Sequence, residues 1–453
     1  MLELVKKNKE ILVICILYGI ILLAVFIFLI GGNVSPAADS YDRIAKNLLS
    51  DTFFSINGES ADYLRTPGYP FFLTAVYFFG GNNTTVVIIQ ILLTAINAYI
   101  FYRILIMLNI PKRLTLFGTI LVLCYLHTLA NTFSITTETL FGFFLLLSLN
   151  FLVYYIYKKK NTWIFFLFSI SLNYALLVRP ILMYFNMLVC ISLLIGFIVK
   201  RMQSICFVLF TLCFLIVFIG WSYRNYIHSG IFVFSTIQQS NKQRYYAPII
   251  TARIKGIKNV NIGGFIEGAT DYHNEMFFQE YPEVKNGNLN VAQIAVLQNK
   301  YGSQFIKNNL SEYIIVNING FWEMMLTPGF QGPRTKSIIQ QWSLFGYLIM
   351  GQFWLSLVYI VIIYLIYLIG LMAAFKKRDV IQISIFFLCG YLAIPGAIFA
   401  SPRFRDPFFP LLLLSAISNS GIIIHWLSQK LRVPVLEHIE KYLLHESEAG
   451  DNR

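Results

Sequence analysis

The sequence predicts an all-α polytopic membrane protein with about ten transmembrane helices. Three observations predict it. Hydrophobic residues make up 57% of the 453 positions and charged residues only 13%, against roughly 25% charged in an ordinary soluble domain. The mean hydropathy is +0.65. The apolar residues also gather in runs of the roughly 20 residues that a helix needs to cross a bilayer. The same composition excludes a soluble enzyme, a disordered chain and a disulfide scaffold, because so few charges could not cover a soluble fold of this size.

In chain order, spans are predicted at 11–31, 86–108, 114–133, 137–157, 163–179, 181–199, 203–221, 346–372, 380–398 and 407–427. Lys6, Lys7 and Lys9 precede the first span. Basic clusters then follow every second one: Lys112/Arg113, Lys158–Lys160, Lys200/Arg201, Lys376–Arg378 and Lys430/Arg432. Lysine and arginine collect in short cytoplasmic loops, so alternating spans put all these clusters, and both termini, in the cytoplasm. The apolar stretches 69–80 and 313–326 read as interfacial or re-entrant pieces. The first is short and opens on Pro67-Gly68-Tyr69-Pro70; the second contains Glu323 and adjoins Pro328-Gly329. Pro36-Ala37-Ala38 loosely resembles a cleavage site, but the preceding apolar run is too long for a signal peptide.

This topology divides the chain into four parts. Residues 1–221 form an N-terminal transmembrane module with an outer loop at 32–85, residues 222–345 an extracytoplasmic loop, residues 346–427 the last transmembrane helices, and residues 428–453 a cytoplasmic tail. Within the second loop, Ala292–Leu310 carries helical apolar spacing with Gln, Asn and Lys on its other face. Such a helix lies on a membrane or roofs a cavity.

The net charge of +13 sits mostly at span ends, where it sets orientation, and no basic stripe carries a nucleic-acid recognition module. The six cysteines all lie inside apolar runs and read as buried small hydrophobes. The six histidines are scattered without zinc spacing. No phosphate-cradling glycine loop is present, which points away from a nucleotide-driven reaction and toward an anionic substrate supplied from the membrane.

The unusual charges fall at the outer ends of spans. Asp39 and Asp42 open the segment Asp-Ser-Tyr-Asp-Arg-Ile-Ala-Lys; on a helix they share a face at i,i+3. Asp39 is either an N-cap or, like Asp42, a carboxylate offered to a cavity as general base. Arg65-Thr66-Pro67-Gly68-Tyr69-Pro70 is a structural corner or an anion anchor. Glu138 opens the fourth span, where the helix dipole alone favours an acid. Arg179-Pro180 marks a tight turn between spans, with Arg179 snorkelling or lining the site. Trp221 is followed by Arg224-Asn225-Tyr226 at the end of the seventh span. Arg403-Phe404-Arg405-Asp406-Pro407 precedes the last span; the two arginines read as a clamp for an anionic group or as ion-pair partners of the nearby acids. Ionisable groups near bilayer depth commonly face a cavity or one another, so one polar site beneath the outer loops is expected.

These motifs, in this order, resemble those of GT-C membrane glycosyltransferases, in particular the group similar to glycosyltransferase family 39, which includes relatives of protein O-mannosyltransferases and of the lipid A aminoarabinose transferase. The likeness runs over roughly residues 10–427. It rests on Asp39-Ser40-Tyr41-Asp42, Arg65-Thr66-Pro67-Gly68-Tyr69-Pro70, Thr137-Glu138, Arg179-Pro180, Trp221 with Arg224-Asn225-Tyr226, and Arg403-Phe404-Arg405-Asp406-Pro407. The resemblance implies a polyprenyl-phosphate-linked sugar as donor. It implies inverting transfer to an envelope acceptor (lipid, glycan or protein) on the extracytoplasmic face of the cell membrane. Asp39, Asp42 and Glu138 become candidate catalytic acids. Arg65, Tyr69, Arg179, Arg224, Asn225, Arg403 and Arg405 become candidates for binding substrate and lipid phosphate. No cofactor is certain; some relatives use a divalent metal, which this sequence neither requires nor excludes. The adjacent Asp-Glu pair of eukaryotic mannosyltransferases is missing. Two other readings compete: a non-GT-C polysaccharide polymerase or ligase of the envelope, and a transporter or lipid flippase. The span centres are nearly free of charge, which disfavours a polar path through the membrane.

Overall fold

The computed structural model describes residues 9–29, 32, 34, 40–50, 53–125, 127–200, 203–257, 268–287, 289–327, 343–431 and 441–444. Among them nearly every ordered segment is helical, and the one β pairing is an isolated bridge between Ser55 and Ala61. The protein is an all-α, multi-pass membrane protein. Seven of its helices are long and apolar enough to cross a bilayer, and two shorter apolar helices, Thr162–Val178 and Phe409–Gly421, accompany them among the described residues.

The chain begins with α1 (Lys9–Leu29), α2 (Tyr41–Leu49), α3 (Gly68–Phe78) and α4 (Asn83–Met107). A reciprocal capping box between Asn82 and Thr85 starts α4, satisfying amide donors that a helix start otherwise leaves open. The apolar stretch expected as interfacial at 69–80 is the 11-residue α3, too short to span.

The third expected span, 114–133, is not one helix. It is α5 (Lys112–Leu123), a break, and the short α6 (His127–Thr132). The break releases Tyr125 to stack on Phe409 at 3.8 Å between ring centroids and to donate a hydrogen bond to Asp406. Polar bonds across the bundle thus interrupt what hydropathy reads as continuous. Cys124, at the break, is exposed, whereas Cys15, Cys206 and Cys389 are buried as expected.

Next come α7 (Glu138–Tyr157) and α8 (Thr162–Val178). A 3₁₀ turn at Pro180–Leu182 leads into α9 (Met183–Ile198); proline, unable to continue α8, starts this turn. The following helix, α10 (Ser204–Ser229), runs eight residues past the expected end at 221 and stops at Gly230, whose φ of 74° favours glycine. Trp221, Arg224 and Asn225 therefore stand on a helix rather than beyond one.

The segment expected as the second outer loop is largely helical among its described residues: α11 (Ile237–Asn241), a π-helical turn at Lys242–Tyr246, α12 (Ala247–Ile254), α13 (Ala269–Glu280), α14 (Val291–Asn308) and α15 (Leu310–Leu326). The amphipathic helix expected at 292–310 is α14. It lays a face of small residues on protein: Ala292 joins Ala61 and Tyr63, and a Cβ on Gly302 would lie 2.6 Å from the Lys242 backbone. Lys242 Nζ donates to Asn299 and Ser303 of α14 at 2.8 and 2.9 Å. This lashes the π turn to α14, so α14 braces the roof of the molecule.

The last helices are α16 (Ser343–Lys377), α17 (Val380–Ala397) and α18 (Phe409–Leu431). A large apolar core joins α4, α7, α8, α16, α17 and α18.

Candidate functional site

The site grows from the first outer loop. Ser40 precedes α2 in left-handed geometry, φ 57°, so the helix opens at Tyr41; Asp39 lies outside the described residues. Asp42 is buried, with Lys46 Nζ 3.7 Å from its carboxylate. Asp62, which sequence reasoning did not single out, accepts from the Arg65 amide and Arg65 Nη1, both at 2.8 Å. The Arg65 guanidinium also lies 5.6 Å from the Tyr41 ring centre.

The Arg65–Pro70 corner is built tightly against the end of α8. Thr66 donates to the Val178 carbonyl at 3.3 Å, and Tyr174 to the Gly68 carbonyl at 3.1 Å. A Cβ on Gly68 would lie 2.6 Å from the backbone at Leu177–Val178; only glycine permits that approach. Tyr69 is fully buried and donates to Gln90 at 2.9 Å. Gln90 in turn donates to the Thr132 and Ser134 carbonyls at 2.8 Å. The corner is thus a wedge that fixes the turn after α8, and Tyr69 is its buried post.

That wedge sets the position of Arg179, and Arg179 meets Glu138. Glu138 opens α7 and is 3% exposed, yet it lies between two guanidiniums from remote parts of the chain. Arg179 Nη2 donates to Oε1 at 3.1 Å. Arg403 donates to Oε1 through Nε and to Oε2 through Nη2, the latter at 3.4 Å. Both carboxylate oxygens are occupied by charge-assisted bonds, which suits an organiser of arginines better than a proton acceptor.

The other expected arginines go elsewhere. Arg224 donates to the Asp62 and Phe54 carbonyls at 2.9 and 3.1 Å and to Asn225 at 2.9 Å, and its guanidinium is ringed by Phe54, Tyr63 and Trp221. Asn225 is buried and donates to the Val233 and Phe234 carbonyls. Together they clamp the first outer loop to the top of α10. Arg405 is wholly buried. It donates to the Met324 and Thr327 carbonyls at 3.1 Å, to the Met325 carbonyl, and to the Tyr125 hydroxyl at 3.0 Å, closing the C-terminal end of α15. The expected Arg403/Arg405 pair therefore splits: Arg403 faces the site and Arg405 faces the core. Asp406 takes hydrogen bonds from Tyr125 and Asn131, while Arg403 pairs with Glu138.

Two hollows flank the Glu138–Arg179 pair. One, of about 60 Å³, includes Glu138, Asp406, Tyr125 and Asn131 in its wall. The other, of about 140 Å³, includes Arg179, Gln238, Asn241, Tyr246, Phe399 and Phe404. Arg179 sits 5.7 and 5.8 Å from the ring centres of Phe141 and Phe404. Chemically, this is a positively charged, aromatic-walled recess beneath the outer loop. Among the described residues no group of three or more His, Cys, Asp or Glu side chains could hold a metal ion.

Segments from across the chain are thus tied together: residues 54–62 to α10 through Arg224, the Thr66–Gly68 corner to the end of α8, and the turn after α8 and the loop before α18 to the start of α7 through Glu138. Sequence reasoning missed Asp62, Gln90, Tyr125, Asn131, Gln238 and Asn241. Only Asp62 left a usable signal, its i,i+3 spacing to Arg65.

No family model matches the chain, and no curated protein does. Among solved structures, it is similar to ArnT from Cupriavidus metallidurans, in the undecaprenyl-phosphate-bound and the apo crystal structures. Each shows 13% sequence identity and a TM-score of 0.38, covering 95% of this chain and 84% of the ArnT chain.

Proposed function

We propose that the protein is a GT-C-type membrane glycosyltransferase that moves a sugar from a polyprenyl-phosphate donor to an envelope acceptor on the extracytoplasmic side. One observation carries the reading: Glu138 gathers Arg179 and Arg403 from distant parts of the chain at the edge of a recess that Arg179 lines. A departing lipid phosphate needs such positive charge where its negative charge develops.

In the reaction, the acceptor hydroxyl oxygen attacks the anomeric carbon and forms the new glycosidic bond. The bond from that carbon to the phosphate oxygen breaks, and the lipid phosphate leaves with the electron pair. The acceptor's proton passes to a carboxylate of the first outer loop, Asp39 or Asp42. Arg179 and Arg403 hold the phosphate, and Glu138 positions the arginines. Arg224 and Arg405, with their donors on carbonyls, act as scaffold.

The test is transfer of radiolabelled sugar from purified lipid donor by the reconstituted protein. Loss of general-base assistance typically costs about 100- to 10,000-fold, so Asp39→Asn or Asp42→Asn should lose transfer by that order. Unchanged transfer in both variants rejects the proposal. Sugar flux without product favours a transporter, and use of a pyrophosphate-linked donor favours a polymerase or ligase.

A further inference from the structure

The recess beside Arg179 has a division of labour in its wall. The Arg179 side chain makes one hydrogen bond among the described residues, to Glu138, and its guanidinium has five N–H donors. The remaining donors belong to a side chain lining the 140 Å³ hollow. Gln238, exposed, and Asn241, half-buried, also line it. They stand at i,i+3 on α11 and share a face. Neither amide has a partner among the described residues.

Among the described residues the hollow offers no carboxylate: its only charged side chain there is Arg179, and the rest of that wall is apolar or aromatic apart from the two amides and Tyr246. Glu138, behind Arg179, has both oxygens occupied by guanidiniums. The roof is also held in place. The π turn that follows α11 is tied to α14 through Lys242, and Gln243 is tied to Asn274 and Gln298 at 3.0 and 3.1 Å. π turns of this kind commonly mark functional sites.

We infer that this hollow is the donor-sugar subsite and that it takes an uncharged sugar, with Gln238 and Asn241 as the specificity-determining residues. The inference rests on the glycosyltransferase reading. Arg179 meets the phosphate. The amides, which donate and accept, meet hydroxyl or N-acetyl groups. A cationic amino sugar finds a guanidinium of like charge and no acid among the described residues of the hollow's wall.

The experiment compares binding of three lipids to the full-length protein in detergent: undecaprenyl phosphate, undecaprenyl phosphate-glucose, and undecaprenyl phosphate carrying 4-amino-4-deoxyarabinose. The wild type should bind the glucose lipid about tenfold or more tighter than the amino-sugar lipid, since one or two net hydrogen bonds are worth about that factor. Gln238→Leu/Asn241→Leu should bring the glucose lipid down to the affinity of the sugarless lipid, whose own binding stays unchanged and shows that the fold is intact. If the double variant loses the sugarless lipid as well, the single variants Gln238→Ala and Asn241→Ala are measured; each should weaken only the glucose lipid, and parallel loss of all three lipids overturns the inference. Equal or tighter binding of the amino-sugar lipid, or discrimination kept in the double variant, overturns it while leaving the glycosyltransferase reading in place. Failure of the wild type to bind any of the three rejects both.

Discussion

The rim of the outer recess and the core directly behind it are built around arginines two residues apart. At the rim, Arg403 is about one-third exposed and meets the carboxylate of Glu138 from another helix. In the core, Arg405 is fully buried and meets carbonyls at the end of α15 together with Tyr125. The rim uses charge to hold charge, leaving Arg179 with donors toward a hollow. The core uses charge to finish a helix end whose last carbonyls have no partner of their own. Residue type is the same in both; what differs is whether the partner is an ion or a backbone dipole.

The largest effect should come from the core. Replacing Arg405 with Met leaves the Met324 and Thr327 carbonyls and Asp406 without a buried cation, and breaking such an arrangement typically costs about 3–5 kcal/mol. A thermal unfolding scan in detergent should show a large fall in midpoint, together with poor expression. An Arg405→Met variant of wild-type stability that has lost sugar transfer reverses the comparison and makes Arg405 a rim residue.

A second test separates the recess from the outer loop above it by pH. His273 is fully buried, with Nε2 on the Thr251 hydroxyl at 2.7 Å and Nδ1 on the Tyr301 hydroxyl at 2.8 Å. Burial, aided by nearby Lys255, lowers its pKa from 6.5 to about 4. Tyr272 and Phe305 close over its ring, and no acid pairs with it. Between those two values the unfolded chain binds a proton that the folded loop does not. Stability is therefore full above pH 6.5 and falls as pH drops toward 4, by up to about 3 kcal/mol. Hydrogen exchange across 237–308 should accelerate over that window, and His273→Gln should flatten the dependence. Exchange independent of pH there contradicts a neutral buried histidine.

Much of the fold is legible in sequence because hydropathy and length report directly on the bilayer. Spans such as 86–108 and 380–398 match α4 and α17 within a few residues. The split of 114–133 is not legible, since it depends on Tyr125 and Asn131 reaching Asp406 some 280 positions away. The candidate site is half legible for the same reason. Arginines near outer span ends announce themselves as costly, and Glu138, Arg179 and Arg403 do come together. Which arginine turns inward is set by partners that carry no pattern: the carbonyls around Arg224 and Arg405 exist in every residue. Gln238 and Asn241 are invisible until the π turn sets their helix over the recess.

The smallest stability effect, and the sharpest functional one, is expected at Arg403. It is the more exposed of Glu138's two partners, and Arg179 still pairs with the buried carboxylate when it is removed, so the loss should stay below the roughly 3–5 kcal/mol of leaving a buried charge unpaired. Arg179→Gln removes the cation lining the hollow, whereas Arg403→Gln leaves that cation with a less constrained Glu138. If Glu138 acts by positioning, Arg403→Gln should cost less stability than the roughly 3–5 kcal/mol of an unpaired buried charge and lower turnover several-fold, with donor affinity weakened less than in Arg179→Gln. Effects of the two substitutions should then fall short of additive, as expected for residues sharing one partner. Strict additivity of the turnover losses in the double variant means that each arginine meets the substrate alone, and Glu138 is only the favourable acid that any helix start tolerates.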